Sequence, residues 1–427
     1  MSVPAPARGR RILGEAAPLT PALALLVLVY VGPVVWFLAS SFVAGDGSIG
    51  VQNYVRLFGS ATYVTTIGTT LKLAAATTLL CILAGYPVAY LMATTRAGSG
   101  LLMLVVLPFW TSYLVRTFAW IILLGRNGTI NSTLIKLGLI ERPLELSYNF
   151  LAVVTAMTHA MLPLAILTML STMQNIGTHY GRAASTLGAR GAQSFFRIYL
   201  PLSMPGVAAA ALMVFIICLG FFVNPALLGS RRETVITQII IDQLSTSLDW
   251  GFAGAACVLM LAVSLTIVAL YQSLFGMTAV TGMESGRKHG LLHGAISRGA
   301  LRVTGGIGQL LSGVGRRIDA ARAAIGVRPR AGGLRLSLPI LVGLIIAFLL
   351  VPVLFLIPVS FTTSSFMRWP PEFFTWRWYQ SYLLHPIWAS AILRSLVVGL
   401  GAAIIATAAG TPAAFALVRG RLPGKPA

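Results

Sequence analysis

The chain has 427 residues, of which 57% are hydrophobic and only 10% charged, where an ordinary soluble domain carries about a quarter charged. That composition excludes a soluble enzyme or a disordered scaffold and describes an integral membrane protein. The formal net charge of +21 belongs to a cytoplasmic membrane face rather than to nucleic acid, because no aromatic-interleaved basic domain or finger spacing accompanies it.

Taken in chain order, Arg8, Arg10 and Arg11 precede an apolar run at 19–42. The run is too long for a signal peptide and has no clean small-residue cleavage site, so it reads as a retained first helix. A span needs about 20 mostly apolar residues. Further spans are predicted at 64–93, 100–124, 150–173, 206–228, 253–275, 337–360 and 390–418. β-barrel alternation is absent, and lipid leaves the backbone no other partners, so all are helices. The fold class is therefore an all-α polytopic membrane protein with about eight transmembrane helices.

With the N-terminus inside, inner segments hold 20 of the 31 Lys and Arg, outer segments hold eight, and Lys72, Arg116 and Arg394 fall within spans. Seven of the ten acids lie outside. The positive-inside rule then places the N-terminus, and the segment 177–205, in the cytoplasm. Cys81, Cys218 and Cys257 sit in apolar stretches without paired spacing, so no disulfide framework, metal site or cofactor is expected. No nucleophile stands with a base and the five histidines are scattered, so no enzyme is expected either.

The stretch 277–335 mixes Gly and Ala with ten Lys or Arg and reads as a basic cytoplasmic linker against lipid headgroups, with room for an interfacial helix within 291–325. Beyond it the chain begins again. "YPVAYLMA" (86–93) returns as "TPAAFALV" (411–418), a shift of 325 that also pairs Gly85 with Gly410, Pro87 with Pro412 and Tyr54 with Tyr379. "PVVWFLASSF" (33–42) returns as "PVLFLIPVSF" (352–361) at a shift of 319, which leaves a six-residue insertion in the outer loop. Parallel repeats of this kind are a transporter plan. The organisation is a tail at 1–18, a six-helix unit at 19–276, the linker, and at 336–427 the first two helices of a second unit.

One inter-span segment, "STLGARGAQSFFRIYLPLSMPGV" (185–207), is polar, helix-prone and sharply punctuated. Gly188 permits a bend or close approach, and Pro201 and Pro205 mark where one helical piece ends and the next starts. The segment resembles the EAA coupling loop of binding-protein-dependent ABC importer permeases. Ala183, Ala184, Gly188, Ile198, Leu200 and Pro201 fall in register, Leu187 lies beside the glycine, and Arg182 stands where the pattern has glutamate. "LPFWTSYLVRTFAWIILLGRNGTIN" (107–131), "PALLG" (225–229) and "LDWGFAGAA" (248–256) are similar to the spermidine/putrescine-type permeases.

The resemblance implies an ABC type I importer permease fold with the second repeat incomplete, in a bacterial inner membrane. It implies ABC ATPase subunits docking at 177–205, a periplasmic solute-binding protein, a second permease chain or copy, membrane lipid around the helices, and a small polar, polyamine-like solute. Ferric iron and phosphonate remain open as substrates. A secondary carrier built on parallel repeats and a truncated non-transporting fragment remain open as functions. The chain itself shows no phosphate-binding loop, since "GRLPGKPA" lacks the Walker A spacing.

Within the spans, Arg116 must face protein or water, because an arginine at a helix centre costs about 2.5–3.5 kcal/mol on insertion scales. It serves either the pathway or the carbonyls of a helix end. Trp110, Tyr113 and Trp120 share its helix, Asn224 precedes a proline, and Asp242 lies in an outer segment. Together these six are the candidate translocation residues. Lys72 and Arg394 sit where they can snorkel, and His159 reads as hydrogen-bonded packing. No acid lies within any span, which disfavours an ion-coupled carrier.

Overall fold

A computed structural model describes residues 19–45, 47–95, 98–186, 194–275, 333–363 and 373–419. The tail, the linker to residue 332, and Leu187 and Gly188 of the coupling segment lie outside the described residues. Among those described, the chain is helical except for turns and one isolated bridge between Val43 and Ile49. Seven helices are long and apolar enough to span a membrane, and an eighth span results if one bent pair is counted as one.

The helices are α1 (Thr20–Phe42), α2 (Gln52–Gly59), α3 (Ala61–Thr94), α4 (Gly98–Phe109), α5 (Tyr113–Leu124), α6 (Thr129–Lys136), α7 (Phe150–Met173) and α8 (Thr178–Thr186). They continue as α9 (Phe195–Leu219), α10 (Val223–Leu228), α11 (Ile236–Asp242), α12 (Trp250–Phe275), α13 (Gly333–Val359), α14 (Arg377–Leu384) and α15 (Pro386–Arg419).

Two spans differ from the sequence expectation. The third, expected at 100–124, is the bent pair: α4 ends at Phe109 and the path turns by 87° before Tyr113. The side chain of Thr111 donates back to the carbonyl of Pro108 at 2.6 Å, and Ser112 is extended, so the helix hydrogen-bond ladder stops there. The fifth, expected at 206–228, starts earlier at Phe195 and stops at Gly220, with α10 a separate short helix. Hydrophobicity alone ran the two pieces together.

The chain divides into two compact units. The larger comprises Val55–Leu248 and Ala256–Phe373. At its centre is α7, which is apolar on all sides and buried on most of them, as a helix without a polar face must be. It packs against α3 and α9. Contact is close because Gly85 of α3 has no side chain: a Cβ there would stand 2.8 Å from Met169 Cε and 3.3 Å from Ile166 Cγ1. Thr70 of α3 also accepts the N–H of Ile236 at 3.0 Å, tying the first residue of α11 to the bundle. The opening helix of the second repeat, α13, lies along α3, α4 and α5.

The smaller unit comprises Met1–Tyr54, Asp249–Ala255 and Phe374–Ala427. There the start of α12 meets the end of α1. Trp250 stands 6.2 Å from both Trp36 and Phe37, and any side chain at Gly251 would strike the Val43 carbonyl. The same turn is closed by Asn53, whose amide donates to the carbonyls of Ser41 and Val43. The N-terminal part of α1 packs on α15.

Helix lengths recur at the same shift as the sequence match. Helices α2 and α14 have eight residues each, α3 and α15 have 34 each, and both pairs begin and end 325 positions apart.

Candidate functional site

The coupling segment enters as α8, nine residues long. Arg182 and Ala183 face outward, and Ala184 is buried. From Ser194 the chain widens into a π-helical stretch, Phe195–Tyr199, that runs without a break into the regular part of α9. Sequence accounts for the widening. Pro201 has no N–H to give the carbonyl of Arg197, and the N–H of Leu200 reaches back five residues to Phe195. Ile198 lies half-buried in the widened turn, and Leu200 and Pro201 form the first regular one.

A grip on this segment went unread in the sequence. Tyr86 and Tyr90, one helical turn apart on α3, close around it. The ring of Tyr90 stands edge-on to Phe195 at 5.3 Å and to Tyr199 at 4.9 Å, and Tyr86 is edge-on to Phe195 at 6.2 Å. Ser203 donates to the carbonyl of Leu200 at 2.8 Å, which leaves the Tyr86 hydroxyl to donate to Ser203 at 2.9 Å. The available signal was the i, i+4 spacing of the two tyrosines in "YPVAY", which marks one helix face.

The pathway candidates separate into a cluster and two outliers. Tyr113, Arg116, Trp120 and Asn224 come together where α5 and α10 meet α7. Arg116 is buried, donates from Nη1 to the carbonyl of Ala160 at 3.3 Å, and lies 5.8 Å from the Tyr113 ring centre. Its contacts among the described residues are thus a carbonyl and a ring, with no carboxylate. That carbonyl lies in the turn of α7 that Pro163 interrupts, since the proline removes the donor owed to His159. Asn224 is buried and accepts from Thr117 at 2.7 Å. Trp120 packs on His159 at 5.7 Å and Phe348 at 5.4 Å.

Several donors in this cluster are buried without a hydrogen-bond partner among the described residues: Arg116 Nε, Trp120 Nε1 and Asn224 Nδ2, with the Tyr113 hydroxyl beside them. The cluster is rich in donors and offers nothing that resembles a catalytic dyad. Trp110 lies elsewhere, 84% exposed in the break between α4 and α5. Asp242 is exposed at the end of α11, and no described contact joins it to the cluster. Among the described residues no three His, Cys, Asp or Glu converge as metal ligands.

Comparison with known proteins bears on both regions. Residues 85–277, which include the coupling segment and the donor cluster, match the family described as the binding-protein-dependent transport system inner membrane component. The chain is 32% identical over 257 residues to the spermidine/putrescine transport system permease protein PotB of Haemophilus influenzae, covering 58% of this chain and 90% of that relative. It is 31% identical over 251 residues to PotB of Escherichia coli, covering 57% and 89%. Among solved structures it is similar in fold to a chain of a bacterial alginate ABC transporter in complex with alginate pentasaccharide-bound periplasmic protein. The TM-score is 0.54 at 21% identity, over 64% of this chain and 98% of that one.

Proposed function

The chain belongs to the family of binding-protein-dependent transport system inner membrane components, as an ABC importer permease subunit, and from that premise we propose that it carries a small polyamine-like solute inward at the expense of ATP. The solute arrives from a periplasmic binding protein. ABC ATPases dock from the cytoplasm at 177–205, which puts the N-terminus on that side. A second permease chain or copy is its partner in the membrane.

The observation that carries this reading is the build of the coupling segment. An exposed helix, α8, packs on a widened turn that four aromatic rings and a serine fasten to α3. A push on α8 therefore reaches α3 through the packed side chains of the widened turn. The polyamine part of the reading rests on the PotB relatives.

The test is Gly188→Trp, assayed for ATP-driven uptake in cells and for membrane insertion by fractionation. Uptake is expected to vanish while insertion stays normal, and unchanged uptake would falsify docking at this segment. One observation favours a second reading of the cargo. The unpartnered donors around Arg116 suit an acceptor-rich anion of the phosphonate kind better than a polycation. Competition of labelled spermidine uptake by unlabelled spermidine or by phosphonate separates the two.

A further inference from the structure

The opening helix of the second repeat, α13, is apolar around its whole circumference, so its sequence names no inward face. The structure nonetheless selects one. Val342, Ile345, Ile346 and Leu349 are buried, at the i, i+3, i+4, i+7 spacing of a single stripe, while Leu344 and Val351 are exposed. Between helices in lipid there is no hydrophobic driving force to prefer one stripe of Leu, Ile and Val over another. That leaves shape packing and hydrogen bonds to set the rotation, and of these the hydrogen bond is the directional one.

The directional contact is a hydrogen bond. His159 of α7, fully buried, places Nε2 3.0 Å from the carbonyl oxygen of Leu349. A carbonyl only accepts, so Nε2 carries the proton and donates. The imidazole is held edge-on between Trp120 at 5.7 Å and Phe348 at 5.5 Å, and those two rings stand 5.4 Å apart. Pro352 has no N–H to give the carbonyl of Phe348, the residue next to Leu349.

We propose that His159 is the positioning residue by which the first permease unit fixes the register and rotation of the next unit's opening helix. Trp120 and Phe348 act as the walls that aim its ring. This assigns His159 an assembly role rather than a place in solute transfer, and it makes Trp120 part of an interhelical seat. The inference rests on geometry alone and stands whatever solute the permease carries.

The test is a nitroxide scan of the full chain in phospholipid bilayers. The three native cysteines are replaced, and single labels are placed at Val342, Leu344, Ile346 and Val351. In the parent, oxygen collision at Leu344 and Val351 is expected to exceed that at Val342 and Ile346 severalfold. His159→Leu removes the donor and is expected to erase that difference. His159→Gln keeps an N–H at nearly the same reach and is expected to restore it. Phe348→Ala changes only α13, so it reports on the seat even if His159→Leu fails to fold, and it is expected to weaken the contrast. An unaltered contrast in His159→Leu, or in Phe348→Ala when the histidine variant does not fold, overturns the proposal. So does a contrast lost equally in His159→Gln and His159→Leu.

Discussion

Helices α3 and α15 begin and end 325 positions apart, with equal length and matching glycine and proline, but they live in different surroundings. Leu73, Ala74, Thr77, Cys81, Val88 and Ala89 of α3 are buried under α7 and α9. Their counterparts 325 positions on are Val398, Gly399, Ala402, Ala406, Ala413 and Ala414. Of these only Ala413 is buried, and nothing stands within 4 Å of where a Cβ would project from Gly410. The repeat therefore specifies a helix and a small-residue face, while burial of that face comes from whatever covers it. On α15 the residues are smaller than on α3, the composition that lets membrane helices approach closely. In the proposed assembly the cover is the second permease chain or copy.

The largest effect expected from breaking this comparison is at the paired glycines. Gly85→Leu drives a branched side chain into Met169, Ile166 and Leu162, and overpacking of a filled core costs about 1–3 kcal/mol or more. Gly85→Ala is milder, because the nearest atom is the mobile methyl end of Met169. Gly410→Leu is expected to change stability by less than about 0.5 kcal/mol, as for a surface substitution. Thermal unfolding in mild detergent measures all three, and equal losses for Gly85→Leu and Gly410→Leu would show that the two faces are covered alike.

A smaller contrast separates Thr70 from its counterpart Ser395. Thr70→Val leaves the N–H of Ile236 buried without an acceptor, a loss of about 1–3 kcal/mol. Ser395 is exposed, and Ser395→Val is expected to be nearly neutral by the same unfolding measurement. Destabilisation by Ser395→Val comparable to that of Thr70→Val would contradict the bareness of α15.

Much of this architecture was legible because lipid makes the rules strict. Long apolar runs must be helices, and the 325-residue shift read from "YPVAYLMA" and "TPAAFALV" returns as identical boundaries for α3 and α15. The break at "WTS" was not legible, since a bend made by Thr111 and an extended Ser112 leaves hydrophobicity unchanged. Packing partners were hidden for a similar reason. A helix such as α13, apolar on all sides, carries no moment to say which side is inward, so the role of His159 needed coordinates. At the coupling segment the motif located the prolines and Gly188, but the tyrosine grip joins residues more than 100 positions apart, and the i, i+4 spacing in "YPVAY" marks a helix face without naming what it meets. The pathway candidates on α5 shared a helix with Trp110, yet the 87° turn separates it from them.

The gentlest way to sharpen the comparison changes one small residue and leaves stability almost untouched. Cys81 on α3 corresponds to Ala406 on α15, and Cys81 is fully buried while Ala406 is exposed. A thiol reacts only where a reagent can reach it. In a Cys257→Ser background, with Cys81 and Cys218 both buried, the solubilised chain is expected to take up little N-ethylmaleimide. Ala406→Cys should add one quickly labelled site per chain, with no change in unfolding temperature. Adding the proposed second permease chain or copy should then slow that labelling to the level of Cys81, because a helix of that partner would lie across the face. Slow labelling of Ala406→Cys in the lone chain would mean that α15 is already covered, and would remove the physical ground for expecting a partner there.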